Sequence, residues 1–73
     1  MPEELSAAVA AEVRRRLEER GWSGRELSRR TGISQRSVVD KLAGRTAFDL
    51  DDVQKVSAAL EVPVVDLLNL PNI

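Results

Sequence analysis

The sequence predicts an all-α protein of five helices, and three observations carry that expectation. Leu5, Val9, Val13 and Leu17 recur every four residues, the spacing of a single helical stripe. Downstream, short segments open at Ser23, Ser34, Asp49 and Pro63, and the first two of them close at Gly32 and Gly44, the punctuation of capped helices. No stretch alternates as a strand would. The 73 residues, 42% hydrophobic and 32% charged, suit one small domain spanning residues 1–73. Its core is modest, because a chain of this size buries only about 60–65% of its unfolded surface.

The first helix is expected over Glu3 to Arg20, with Ala8 and Ala10 beside its stripe. Its charges follow the helix dipole, Glu3 and Glu4 at the start and Arg14, Arg15, Arg16 and Arg20 toward the end. Gly21 stops it. In "SGRELSRRTG" Ser23 caps the second helix and Glu26 completes a capping box, while Trp22 and Leu27 stand at the positions of a hydrophobic staple. Gly32 ends that helix, Ser34 caps again, and a third runs from Gln35 to about Ala43. Asp49 caps the fourth, with Asp51 and Asp52 in its first turn and Val53, Val56, Ala59 and Leu60 as its buried stripe. "EVP" breaks it, and Pro63 opens a last short helix, "PVVDLL".

Composition excludes several functions. There is no cysteine, so no disulfide staples the chain and no thiolate attacks or binds metal. Histidine and tyrosine are also absent and the carboxylates form no recognisable pair, so no enzymatic activity, cofactor, metal or small-molecule substrate is expected. No apolar run reaches the roughly 18 residues that span a bilayer, and "MPEEL" is no signal peptide. A cytoplasmic protein without a membrane partner is the expectation.

Net charge is -1, but it is unevenly placed. Ten of the 11 basic residues lie between positions 14 and 45 with four acids, leaving that window at +6 and the rest of the chain at -7. Such a domain can turn one face to a polyanion and repel it elsewhere.

The two short helices joined at "TGIS" make a helix-turn-helix unit over about residues 23–44. Gly32 supplies the positive φ that the tight turn demands. Leu27, Ser28, Thr31, Ile33, Val38 and Leu42 can all face inward. Two adjacent valines cannot both do so on a narrow stripe. Val38, five residues after Ile33 and four before Leu42, is the core valine. Val39 is then rotated outward, onto the face of Gln35, Arg36 and Asp40. An amide, a guanidinium, a carboxylate and a branched methyl group are the chemical types that read adenine, guanine, cytosine and thymine edges in a major groove.

From about Leu17 to Leu68 the chain resembles the lambda-repressor and Cro-like helix-turn-helix family, compact five-helix DNA-binding domains of phage repressors and bacterial regulators. The resemblance rests on "GWSGRELSRRTGISQRSVVDKLAGRT" and "FDLDDVQKVSAALEVPVVDLL". The chain departs from the family pattern at Gly24, where a glutamine often opens the second helix. It departs also at Ser28 for a usual alanine, at Lys41 for a residue that is often aliphatic, and at Glu61, where glycine commonly ends the fourth helix.

The resemblance implies double-stranded DNA as partner, with the third helix in the major groove. Gln35, Arg36, Val39 and Asp40 are the expected base contacts. Ser23, Arg25, Ser34, Ser37, Lys41 and Arg45 are the expected backbone contacts. Of Arg14, Arg15 and Arg16, one or two are expected to reach the DNA backbone and the others to pair with Glu18 or Glu19. Arg29 and Arg30 are expected to be solvated or paired. The function implied is sequence-specific binding in transcriptional control, as a phage, prophage or bacterial repressor. The competing class is a protein-interaction module on the same fold, an antitoxin or adaptor using its "VVDLLNLPNI" tail. The chain leaves no room for a sensor domain, so control is expected from concentration, a partner or a longer parent chain. Val62, Val64, Val65, Leu67, Leu68, Leu70 and Ile73 exceed what one short helix can bury. A weak homodimer, formed in solution or only on DNA, is expected from that excess.

Overall fold

A computed structural model of the chain describes residues 3–68. Five helices follow in order: α1 (Glu3–Arg20), α2 (Gly24–Thr31), α3 (Gln35–Leu42), α4 (Leu50–Leu60) and α5 (Val64–Leu68). No strand occurs among the described residues. The helices surround one apolar cluster built from Val9, Val13 and Leu17 of α1, Leu27 of α2, Val38 of α3, Val53, Val56 and Leu60 of α4 and Leu67 of α5. Ile33 from the α2–α3 turn and Phe48 from the α3–α4 loop complete it, and Leu5, Trp22, Leu42, Val62 and Leu68 pack around the edge. Phe48, fully buried, had no place in the helix-by-helix pattern because it sits just before a cap. Ala59 of the expected α4 stripe is only half-buried, whereas Ser57 is buried.

α1 stops as expected. Gly21 takes φ 68°, and the Trp22 N–H donates to the Leu17 carbonyl at 2.9 Å, the six-to-one bond of a Schellman ending. At α2 the expected capping box forms only by half. Ser23 Oγ accepts from the Glu26 N–H at 3.1 Å, but the Glu26 carboxylate does not return to the cap. It accepts instead from the guanidinium groups of Arg29 and Arg30. Two charged donors at i+3 and i+4 outcompete one neutral N–H for the same oxygens. The complete box is at α4, where Asp49 Oδ1 accepts from the Asp52 N–H at 2.7 Å and Asp52 Oδ2 accepts from the Asp49 N–H at 3.2 Å. The Arg30 guanidinium also lies over the Trp22 ring, 4.2 Å from its centroid, with that of Arg20 at 5.4 Å.

The α2–α3 turn is wired by hydroxyls. Gly32 is left-handed, with φ 79°. Ser28 Oγ donates to the Ile33 carbonyl at 2.6 Å, Thr31 Oγ1 donates to the Leu27 carbonyl at 2.8 Å, and the Ile33 N–H donates back to Thr31 Oγ1 at 3.2 Å. Ser28 is therefore more than a small substitute for alanine. Gly24 lies where α2 meets α3: a Cβ added there would sit 3.5 Å from Val38 Cγ1 and 3.7 Å from Leu42 Cδ1, ordinary van der Waals distances.

Pro63 precedes α5 rather than opening it, and its carbonyl accepts from the Asp66 N–H at 3.0 Å. Of the C-terminal apolar residues, Leu67 is buried, Val62 and Leu68 are half-buried, and Val64 and Val65 are exposed. Leu70 and Ile73 lie outside the described residues.

α4 ends on Glu61 in the left-handed conformation, φ 58° and ψ 43°. Among the described residues no other non-glycine has a positive φ. A side chain there costs roughly 1–2 kcal/mol relative to glycine. Glu61→Gly should therefore raise the free energy of unfolding in urea by about 1 kcal/mol. Glu61→Ala should not, because it removes the carboxylate and keeps the strained Cβ.

Candidate functional site

α3 is a helix of eight residues, and its roll about its own axis decides which side chains it offers to solvent. Val38 is 0% exposed and Val39 53%. The inward valine is the one expected, and with it Gln35, Arg36 and Val39 are exposed, while Asp40 is half-buried at the edge of the same face. Ser34 caps the helix, its Oγ accepting from the Ser37 N–H at 3.2 Å. Two of the three serines of the expected backbone-contacting set, Ser34 and Ser37, are thus at the first turn of α3, where main-chain N–H groups converge. Ser23 stands at the corresponding place on α2, with exposed Arg25 two residues on. Both helices of the unit thus have a capped start with an exposed arginine in the first turn.

The other end of α3 is tied down by charge. Lys41 Nζ lies 3.1 Å from Asp52 Oδ2, with only 15% and 12% of the two side chains exposed. Because Asp52 is also the returning partner of the Asp49 cap, the ammonium joins the recognition-helix candidate to the start of α4. Lys41 had been expected among the backbone contacts. Its charge is instead engaged inside the fold, which accounts for a lysine at a position that is often aliphatic: the side chain is largely buried and its head finds a carboxylate. Arg14 adds a second tie, its guanidinium donating to the carbonyl of Leu42 in the last turn of α3. Neither Asp52 nor Arg14 was legible as a positioning residue. The pairs span 11 and 28 positions of sequence, beyond any helical periodicity.

Arg45 follows α3. Gly44, with φ 82°, turns the chain so that the Arg45 N–H donates to the Asp40 carbonyl at 2.9 Å and the Gly44 N–H to that of Lys41 at 3.1 Å. The side chains of the same two residues meet, Arg45 Nη1 to Asp40 Oδ1 at 3.1 Å. The structure therefore brings a residue expected at bases and one expected at the backbone into a single ion pair.

The remaining arginines are mostly occupied. Arg15 pairs with Glu12 at 2.5 Å and Glu19 at 2.9 Å, and Arg16 with Glu12 at 2.8 Å and Asp66 at 3.9 Å. Glu12, not Glu18, is the centre of this cluster. It lies on the buried side of α1, at i-3 and i-4 from the two arginines, and the Arg15 hydrogen bond holds its carboxyl below the usual glutamate range against the opposing effect of burial. Arg29 and Arg30 share Glu26, as expected of paired residues. Arg20 donates to the carbonyl of Leu60 at the end of α4. Among the described residues no carboxylate lies within ion-pair distance of Arg25 or Arg36. Of these two exposed arginines, Arg36 stands on the outward face of α3 and Arg25 in the first turn of α2. Among the described residues no group of three or more His, Cys, Asp or Glu is placed to hold a metal ion, and no helix is long and apolar enough to cross a membrane.

The family model described as helix-turn-helix matches residues 13–67, well over half of the chain. No curated protein and no solved structure matches it.

If Lys41 is structural, Lys41→Met should lower the free energy of unfolding in urea by about 1–3 kcal/mol, because Asp52 is left nearly buried without its cation. Lys55→Met, which breaks the exposed pair with Asp51 at 3.3 Å on the same helix as Asp52, should change it by less than about 0.5 kcal/mol.

Proposed function

The chain belongs to the lambda-repressor and Cro-like helix-turn-helix family of DNA-binding regulatory domains, and we propose that it binds a specific double-stranded DNA site as a transcriptional repressor of phage or bacterial origin. The observation that carries this reading is the outward face of α3. Gln35, Arg36 and Val39 are exposed side by side, and none is spent on an ion pair among the described residues. In the major groove Arg36 would address guanine, Gln35 adenine and Val39 a thymine methyl group. Ser23, Arg25, Ser34, Ser37 and Arg45 would hold phosphates on either side, helped by the N–H groups at the starts of α2 and α3. Lys41 would contribute by holding α3 in place. A protein of this kind works in the cytoplasm, on the nucleoid of a bacterium or of a phage's host.

Exposed Val64 and Val65, the latter 66% exposed, support a second copy as a further partner. A two-fold dimer would set two α3 helices about 34 Å apart and read a palindromic site. The same residues are what an antitoxin or adaptor would use toward another protein. The guanidinium and amide on the outward face of α3 favour DNA over that reading.

Selection from random duplex DNA with the purified protein tests the proposal and yields the site. A pool that shows no enrichment would reject it. An asymmetric site occupied by a single protein would reject the dimer and keep DNA recognition.

On the selected site, binding should weaken with salt, but less steeply than a +6 window suggests. Six of its ten cations are paired within the fold. With about two to four cationic contacts the slope of log K against log salt should be roughly -2 to -4. A slope near zero would be incompatible with phosphate contacts.

Arg36→Ala should cost about 1–3 kcal/mol on the best site and relax preference at one base position. Arg25→Ala should weaken all sequences about equally. The reverse pattern would mean that the reading face is rotated from the one assigned.

A further inference from the structure

Asp40 and Arg45 occupy the third residue from the α3 C-cap and the second residue beyond it. In a Schellman ending the side chains at these two positions are brought together, and the usual contact between them is apolar. Here the same backbone geometry, set by left-handed Gly44 and the bonds to the carbonyls of Asp40 and Lys41, joins a carboxylate and a guanidinium. Arg45 spends Nη1 on Asp40 Oδ1. Among the described residues its other donors have no protein partner, and two-thirds of its side chain faces solvent.

We propose that Asp40 is a positioning residue that aims Arg45 at a DNA phosphate, and that it does not read a base. The proposal rests on the DNA-binding function inferred above. A guanidinium has donors on more than one edge, so it can keep one on a carboxylate and give another to a phosphate oxygen. An arginine free at the end of a loop must lose rotamer freedom when it meets DNA. One already held by a carboxylate has lost part of it beforehand. Against this stands the repulsion between the Asp40 carboxylate and the phosphates, which neutralisation by Arg45 diminishes. The carboxylate is engaged by Arg45, and no ion pair joins it to Arg36 among the described residues. Asp40 therefore acts on affinity for any duplex, through Arg45, and not on preference at one base pair.

The test is a double-mutant cycle with the full chain, titrated against the selected duplex and a scrambled duplex of equal length. Asp40→Ala should weaken binding to both by about twofold to fivefold, the range of an exposed ion pair. In an Arg45→Ala background the same substitution should leave binding unchanged or tighten it. Asp40→Asn keeps an acceptor oxygen for the guanidinium and should recover part of the loss. The Schellman bonds use main-chain atoms, so thermal unfolding of each variant should remain close to that of the parent and confirm that the scaffold is intact. A loss confined to the selected duplex that persists without Arg45 would overturn the proposal in favour of base reading by Asp40. Tighter binding of Asp40→Ala in both backgrounds would overturn it in favour of simple repulsion. Should the alanine variant unfold, the asparagine variant measured with and without Arg45 decides, and absence of coupling there rejects the proposal. Failure of the parent protein to bind either duplex would reject the DNA-binding reading itself, and this one with it.

Discussion

The close approach of α2 and α3, with Val38 wedged between them, is the constraint on which the site depends. α3 has eight residues and therefore little more than two turns with which to hold its orientation. Burying Val38 stabilises by about 1.5–3 kcal/mol, and α2 meets it at Gly24, where a Cβ would lie at ordinary van der Waals distance from Val38 Cγ1. A roll by one residue would seat Val39 instead, at similar apolar gain. It would also take Lys41 off Asp52 and Leu42 off its place beside Gly24. The valines alone do not choose between the two rolls; the charged and apolar neighbours of Val38 do. The exposure of Gln35, Arg36 and Val39 follows from that choice.

The electrostatics divide in the same way. A count of charges gives a basic central window, yet most of its cations serve the fold. Arg15 and Arg16 converge on Glu12, Arg29 and Arg30 on Glu26, and Lys41 on Asp52. Arg14 and Arg20 lie on the last carbonyls of α3 and α4, where cations offset unpaired C=O groups and the negative end of the helix dipole. What remains for a polyanion is a small set, Arg25, Arg36 and the outer edge of Arg45, all close to the starts of α2 and α3 or the end of α3. Few cations in the right places are consistent with a chain whose overall charge is negative. The acidic remainder is of the sign that repels a polyanion.

Much of this was legible in the sequence because it is local. The bounds of α1, the caps at Ser23, Ser34 and Asp49, the left-handed glycines 21 and 32 and the inward turn of Val38 all depend on residues within five positions of one another. Glu61 in place of a capping glycine was legible too, and it takes the left-handed conformation that its position implies. What was not legible is the choice among competing partners. Glu26 satisfies the spacing of a capping box, but Arg29 and Arg30 satisfy the spacing of ion pairs with the same carboxylate. Pattern alone does not rank them, whereas charge does. Lys41 reads as a free cation until folding brings Asp52 beside it. Glu12 reads as one more solvated acid until α1 turns it toward the buried side, where two arginines reach back to it.

These partnerships bear on how a small helix can be both well placed and accessible. α3 is fixed at three points: by Ser34 and the hydroxyl-wired turn before it, by Val38 beneath it, and by Lys41, Arg14 and the Gly44 ending at its far end. None of these contacts uses an outward side chain. The exposed face is consequently held by the scaffold and not by its own interactions, so Gln35, Arg36 and Val39 can be exchanged with little effect on stability. The residues that hold the helix are its inward Val38 and Lys41, its cap Ser34, and their partners on α1, α2 and the start of α4. Exposed and structural residues thus share the same eight-residue helix, their order along it set by the helical period.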